Sequence, residues 1–375
     1  MTTRPDVIVI GAGIVGAACA EAIARSGRRV LVLDASFAGS GTTAAGMGHL
    51  VVMDDTPAEI ALTSYSVRLW RELVPKLPRN VEYRPCGTLW VAEDEEQLDA
   101  VEEKQRTYTQ LGISAETLSP SQLAQAEPHL RPGLAGALHV PGDAVIYPPN
   151  GAMALLQMAI ANGAEIREGI RVDAIGAREV VAGDERIACD CVVNAAGAHA
   201  PALTPRLPIV PRKGHLVITE RYPDFCHHQL VELGYLASAH TMTTESVAFN
   251  VQPRATGQML IGSSRELVGW DESVNRNIVR KMLNRALDFM PDIGSAAAIR
   301  IWTGFRPATP DKVPLIGAWE ETPGLWIAAG HEGLGITTSL GTGQLLADLI
   351  AGQQTAIDAA PFAPSRVIAG EAVHS

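Results

Sequence analysis

Three glycines in the stretch Gly11-Ala12-Gly13-Ile14-Val15-Gly16 have the spacing that lets a chain cradle a dinucleotide pyrophosphate. They follow an apolar run, Val7-Ile8-Val9-Ile10, and open into an alanine-rich amphipathic stretch. Gly11 permits a tight turn out of a strand, Gly13 lets backbone approach phosphate, and Gly16 lets the next helix pack closely on the sheet. The helix N-terminus then faces the phosphates. A second apolar run, Arg29 to Leu33, ends at Asp34, whose carboxylate can accept hydrogen bonds from both ribose hydroxyls and repels a 2′-phosphate. NADP is disfavoured.

Residues 37–49 read FAGSGTTAAGMGH, where a nicotinamide enzyme would continue into an ordinary crossover helix. Small residues with adjacent hydroxyls at Thr42 and Thr43, followed by Ala45, Gly46 and Met47, suit a loop lying along a longer cofactor and under a flavin ring. Far along the chain, Arg306 stands among apolar and turn residues, a setting that calls for a planar anion. Soon after it, a strand runs through His331, Gly333, Leu334, Gly335 and Ile336 into a second glycine-rich helix start, which can aim its positive end at the pyrimidine edge of a reduced flavin. A nicotinamide dehydrogenase needs neither of these later features. His49 and His331 each lie beside a cofactor loop, either facing the pocket or serving as buried structural histidines. Met47 and Tyr147 have the same two readings, pocket lining or packing.

The elements that position these groups fall into two interleaved parts. We expect an α/β fold: a Rossmann-like, glutathione-reductase-like FAD-binding domain from residues 1–80, 141–210 and 301–375, and a mainly antiparallel substrate domain from 81–140 and 211–300. The pattern predicts helices over Pro57–Leu73, Asp94–Leu111, Asn150–Gly163 and Val274–Phe289. It predicts two short strands within Val81–Val91, one strand over Ala137–Ile146, a strand pair over Glu165–Ile175, and a frayed tail after Phe362. The 375 residues are enough for two domains, and a formal charge of −11 argues against nucleic acid or an anionic membrane as a general partner. With no membrane-spanning run and no room for a signal sequence before the first strand, a cytosolic location is expected. Five cysteines without zinc-ligand spacing read as core thiols, Cys189 and Cys191 on one strand face, and no metal site is expected.

These motifs together resemble the FAD-dependent D-amino-acid-oxidase superfamily over nearly the whole chain. The branch is the one containing glycine oxidase, the β-subunit of heterotetrameric sarcosine oxidase, hydrogen cyanide synthase and opine oxidase subunits, and bacterial D-hydroxyproline dehydrogenase. The segments VIVIGAGIVGAACA, GTTAAGMG, VVNAAGAHA, GFRPATPDKVPLIG and AAGHEGLGITTSLGTG carry the resemblance. It implies noncovalent FAD held by Gly11 to Gly16, Asp34, the Thr42 to Met47 loop, Val172 by its strand backbone, Gly197, and His331 to Ile336. It implies that Arg306 clamps a substrate carboxylate and that hydride passes from the α-carbon to flavin N5, leaving an imine. Three departures stand out: Asp rather than Glu at 34, Gly304 in place of a flavin-linking cysteine, and Asn250-Val251-Gln252-Pro253-Arg254 where glycine oxidase has an assisting tyrosine. The polar residues His49, Asn250 and His240 then favour a substrate with an extra polar group, such as a cyclic hydroxy-imino acid, over glycine or sarcosine, and the resemblance implies an enzyme of the D-hydroxyproline or D-proline dehydrogenase type. The resemblance leaves open a homo-oligomer, an FAD subunit working beside iron-sulfur and second flavoprotein subunits, and loose membrane association through the electron acceptor.

Overall fold

The computed structural model describes residues 4–53, 56–234 and 245–370. Strands are numbered in chain order. The apolar run Val7–Ile10 (β1) lies between Val30–Asp34 (β2) and Cys191–Asn194 (β12), parallel to both. Glu165–Glu168 (β8) extends the sheet beyond β2 and Leu325–Ala329 (β19) beyond β12, while Leu315–Ala318 (β18) closes one edge antiparallel to β19. The inner strands β1, β2 and β12 are apolar along almost their whole length and must be covered on both faces. The helices Ile14–Arg25, Pro148–Ala161 and Gly335–Ala351 cover one, and the other packs on an antiparallel meander of Ala174–Gly176 (β9), Glu179–Ala182 (β10) and Glu185–Ala188 (β11). This is the Rossmann-like α/β layer expected, and β1, flanked by strands whose connections run opposite ways, marks the point where its strand order reverses.

A second sheet has eight strands. Its order is Ala298–Ala308 (β17), Val210–Thr219 (β13), Met259–Glu266 (β16), Glu245–Pro253 (β15), Gln229–Glu232 (β14), Thr88–Ala92 (β4), Gly136–Val140 (β6) and Glu116–Leu118 (β5). All neighbours are antiparallel except β14 and β4. The helix Arg276–Phe289 closes one face over Phe249, Val251, Met259 and Ile261. On the opposite face Trp90, Val231 and Asn250 form a row across three adjacent strands. A short ribbon of His49–Leu50 (β3) and Ala144–Val145 (β7) joins the two halves.

Several local expectations need correction. Only the second of the two strands expected in Val81–Val91 forms. Arg84 makes a lone bridge to Val145, and Pro85, having no N–H, cannot continue the ladder. Ala137–Ile146 is split by the Pro141-Gly142 turn into β6 and β7. Residues 165–175 are not a strand pair: β8 joins the first sheet, β9 joins the meander, and Val172 lies in the loop between them rather than in a strand. Cys189 precedes β12 and packs in a different core cluster from Cys191, because it lies outside the strand whose alternation would have put the two on one face. The tail does not fray at Phe362, which is buried, and a helix follows at Ser365–Gly370. Arg366 there donates to Asp311 Oδ2 at 2.8 Å. The edge strand β17 crosses the expected division at 300/301.

Candidate active site

At the end of β1 the fingerprint is packed against backbone on two sides. A Cβ on Gly11, whose φ is +105°, would stand 2.5 Å from the Ala195 carbonyl oxygen. One on Gly16 would stand 2.9 Å from the Gly11 carbonyl carbon and closer still to its oxygen. Gly13 caps the first helix without a side-chain bond, so the helix start stays open to an anion. The Ile14 N–H donates to Thr43 Oγ1 at 3.0 Å, tying the fingerprint to the 41–48 loop. The Asp34 carboxylate accepts from the Ala12 N–H at 2.6 Å and the Ser36 N–H at 2.7 Å, leaving lone pairs for further donors. Val172 makes no backbone hydrogen bond among the described residues, so its N–H and carbonyl are available. Gly197, with φ +56°, starts the turn after β12. These groups line the C-terminal ends of the parallel strands, the place where a dinucleotide belongs in such a sheet. Orphan donors and a cradle that any Cβ would fill fit the ADP half of FAD.

Beyond Thr43 the loop reaches a cavity between the two sheets with about 930 Å³ of empty space, its open mouth included. One wall is Thr42, Thr43, Ala45, Gly46 and Met47, which Thr42 Oγ1 fastens to β17 by donating to the Phe305 carbonyl at 2.7 Å. The Trp302 indole N–H donates to the Ala45 carbonyl at 3.1 Å, and any side chain at Gly304 would collide with Ala45. The facing wall includes Ile14, Gly333, Gly335 and Ile336. The helix starting at Gly335 has no side-chain cap, which leaves its first N–H groups unpaired within the helix. Val15 sits behind this wall, 3.6 Å from where a Gly335 Cβ would be. Leu334 lines an adjoining cavity instead.

Arg306, His49, Asn250 and His331, far apart in sequence, all line this cavity. Arg306 projects from β17, and its Nη1 donates to the Ser264 carbonyl at 2.9 Å. Gly214 opposite leaves room for the guanidinium. Behind it, the Asn275 N–H donates to His215 Nε2 at 3.0 Å, so the imidazole proton sits on Nδ1, 3.0 Å from Ser264 Oγ. Three groups here had no signal in sequence: Glu332, Arg212 and Arg265. Burial alone would raise the Glu332 carboxyl, but Arg265, Arg306 and Arg212 outweigh it and hold it below the usual carboxylate range. Its only local mark is a left-handed φ of +45° on a residue that is not glycine.

Both candidate histidines are neutral, His331 buried and His49 half-buried with its Nε2 closed off from solvent. Desolvation pushes His49 down to about 3, assisted by the Arg306 charge, and desolvation alone does the same to His331. His331 Nε2 lies 3.0 Å from Thr342 Oγ1, whereas His49 Nε2 is buried without a partner among the described residues. Tyr147 does not line the cavity: it lies under the Arg254 guanidinium, 4.5 Å from the ring centre. His240 lies outside the described residues.

These imidazoles make stability depend on pH. Between about 3 and 6.5 the unfolded chain binds a proton at His331 that the folded chain refuses, so stability rises with pH across that window. Replacing His331 with glutamine removes this linkage. Urea unfolding at pH 6.5 and 4.5 should show the wild type losing about 2 kcal/mol more than the variant on acidification. Equal losses would mean that His331 is protonated in the fold.

The comparisons agree with this geometry. A sequence profile described as DAO, FAD dependent oxidoreductase, matches residues 6–349. Glycine oxidase of Geobacillus kaustophilus is 31% identical over 98% of both chains, and its crystal structure superposes with a TM-score of 0.87, 29% identity, and 97% and 99% coverage of this chain and that one. Hydrogen cyanide synthase subunit HcnC of Pseudomonas aeruginosa is 28% identical over 98% of this chain and 97% of its own. L-proline dehydrogenase of P. horikoshii shares the fold, with a TM-score of 0.89, 23% identity and 99% coverage of both chains. With its fingerprint, loop and second helix start converging on one cleft, the chain belongs to the DAO family of FAD-dependent oxidoreductases.

Proposed function

We propose that this protein oxidises the C–N bond of a small amino or imino acid, with D-hydroxyproline or D-proline as the type of substrate. The observation that carries the reading is Arg306, a planar cation set in the wall of the same cavity that the Ala45–Met47 loop lines. Its fork can hold a carboxylate through two charge-assisted hydrogen bonds and so fix the α-carbon beside that loop. When bound, the flavin supplies the two-electron acceptor for the substrate C–H. The first N–H groups of the helix Gly335–Ala351 would stabilise negative charge growing at its edge of the cavity. His49 and His331, held near 3, are too weak as bases to take a proton from an ammonium, so the amine must arrive neutral. His49 and Asn250 instead offer hydrogen bonds to a polar substrate. Gly304, crowded by Ala45, leaves no side chain to link the cofactor, which supports noncovalent FAD. We assign cofactor binding to the first sheet and substrate binding to the second, and place the protein in the cytosol; no described helix is long and apolar enough to cross a membrane.

D-hydroxyproline, D-proline, sarcosine, glycine and D-alanine, each tested with an artificial dye as acceptor, should rank with D-hydroxyproline first. Glycine or sarcosine as the best substrate overturns the proposal in favour of a glycine-oxidase-like enzyme. The likeness to HcnC, a subunit by name, favours a second reading as the FAD subunit of a complex. In that case the purified chain would be yellow and reducible but would need partner subunits for turnover.

A further inference from the structure

A second cavity adjoins the first and shares His49, Asn250, His331, Glu332 and Gly333 with it. Its floor is the row of side chains that crosses β4, β14 and β15 on one face of the large sheet: Trp90 opposite Val231, and Val231 opposite Asn250. Gln229, two residues before Val231, stands on the same face. Four polar atoms lining this space are buried with no hydrogen-bond partner among the described residues: His49 Nε2, Trp90 Nε1, Gln229 Oε1 and Asn250 Oδ1. Trp90 is 2% exposed, Gln229 1% and Asn250 4%, so solvent does not satisfy them from outside. Buried polar atoms without partners are costly, and a ligand group that supplies the missing bonds gains what they lack.

We infer that this cavity is a specificity subsite, in which Trp90 and Gln229 hydrogen-bond a neutral polar substituent, a hydroxyl or carboxamide, on the substrate held by Arg306. The inference rests on the proposed amino- or imino-acid chemistry and names what selects among such substrates. Donor and acceptor types decide the class. The indole N–H only donates and an amide oxygen only accepts, so the pair suits a group that does both. A charged substituent finds no surplus of opposite charge, because Arg265 and Lys312 in the wall are matched by Glu59 and Glu332. The indole is also pre-positioned, since the Lys104 ammonium lies 4.9 Å from its ring centre. Asn250, shared by both cavities, joins the subsite to the reacting centre.

The test compares rates of flavin reduction for matched pairs, D-hydroxyproline with D-proline and D-serine with D-alanine, in the FAD-loaded wild type, Gln229→Met and Trp90→Phe. The wild type should prefer the hydroxylated member of at least one pair by about 10-fold or more, and each variant should lower that preference by about 10-fold. Equal or reversed preference in the wild type overturns the subsite, as does a preference that both variants keep. Should Trp90→Phe fail to hold FAD, Gln229→Met and the wild-type ratio still decide. Failure of the parent reading looks different, because no amino or imino acid would then reduce the flavin of any form, and the subsite would fall with it.

Discussion

Arg306→Ala is expected to lower kcat/KM for a free-carboxylate substrate by about 2 to 5 kcal/mol, while FAD content and the visible spectrum stay intact. The loss is large because the cavity is partly closed and the carboxylate would be left without its charge-assisted partner. Arg306→Lys keeps the charge but not the planar fork, so it should fall between. Nothing else in the wall can substitute: Arg265 lies 3.9 Å from Glu332, which Arg212 also engages at 3.4 Å. Substrate amides or esters, poor with wild type, should differ little between wild type and the alanine variant. Near-normal kcat/KM in Arg306→Ala, or loss of FAD rather than of substrate, would make the arginine structural. His215 and Ser264 bear on the same residue. They hold the β16 backbone whose carbonyl accepts from Arg306, so the guanidinium is aimed by neighbours as well as by its own strand.

What could be read before the structure was what is encoded locally. The fingerprint, Asp34, the small-residue loop and the second glycine-rich helix are each contiguous, and each carries its own turn or helix-start chemistry. Arg306 stood out because a lone cation among apolar residues needs an anion. The substrate side is different. Trp90, Val231 and Asn250 become neighbours only through register across β4, β14 and β15, and the parallel pairing of β4 with β14 breaks an otherwise antiparallel order. Alternation within each run cannot reveal that partnership. Glu332 was hidden for a related reason, since its role comes from arginines on β13, β16 and β17 that converge only when the sheet forms. The failed strand at Val81–Tyr83 shows the reverse case, where a β-like composition is overruled by a tight turn over Arg79–Val81 and a left-handed Glu82.

Gly16→Ala should produce a colourless protein. The added methyl would press on the Gly11 carbonyl group and sit 3.4 Å from Ala195 Cβ, contacts formed by backbone and a buried side chain that cannot swing aside. The first helix must then move off the sheet, and its start is the surface we assign to the cofactor phosphates. FAD affinity should weaken on the order of 100-fold or more, with a lower Tm from the displaced helix. Wild type, by contrast, should release about one FAD per chain into the supernatant on acid precipitation. A control lies just past the other end of the same helix. Gly27, unlike Gly16, has a positive φ, +88°, but nothing lies within 4 Å of where its Cβ would be. Gly27→Ala should therefore cost only about 1 kcal/mol of backbone strain and keep its FAD. If Gly16→Ala held FAD at wild-type stoichiometry, close approach of helix and strand would not be what builds the site. If both variants lost it, general destabilisation rather than the position of the helix start would account for the loss.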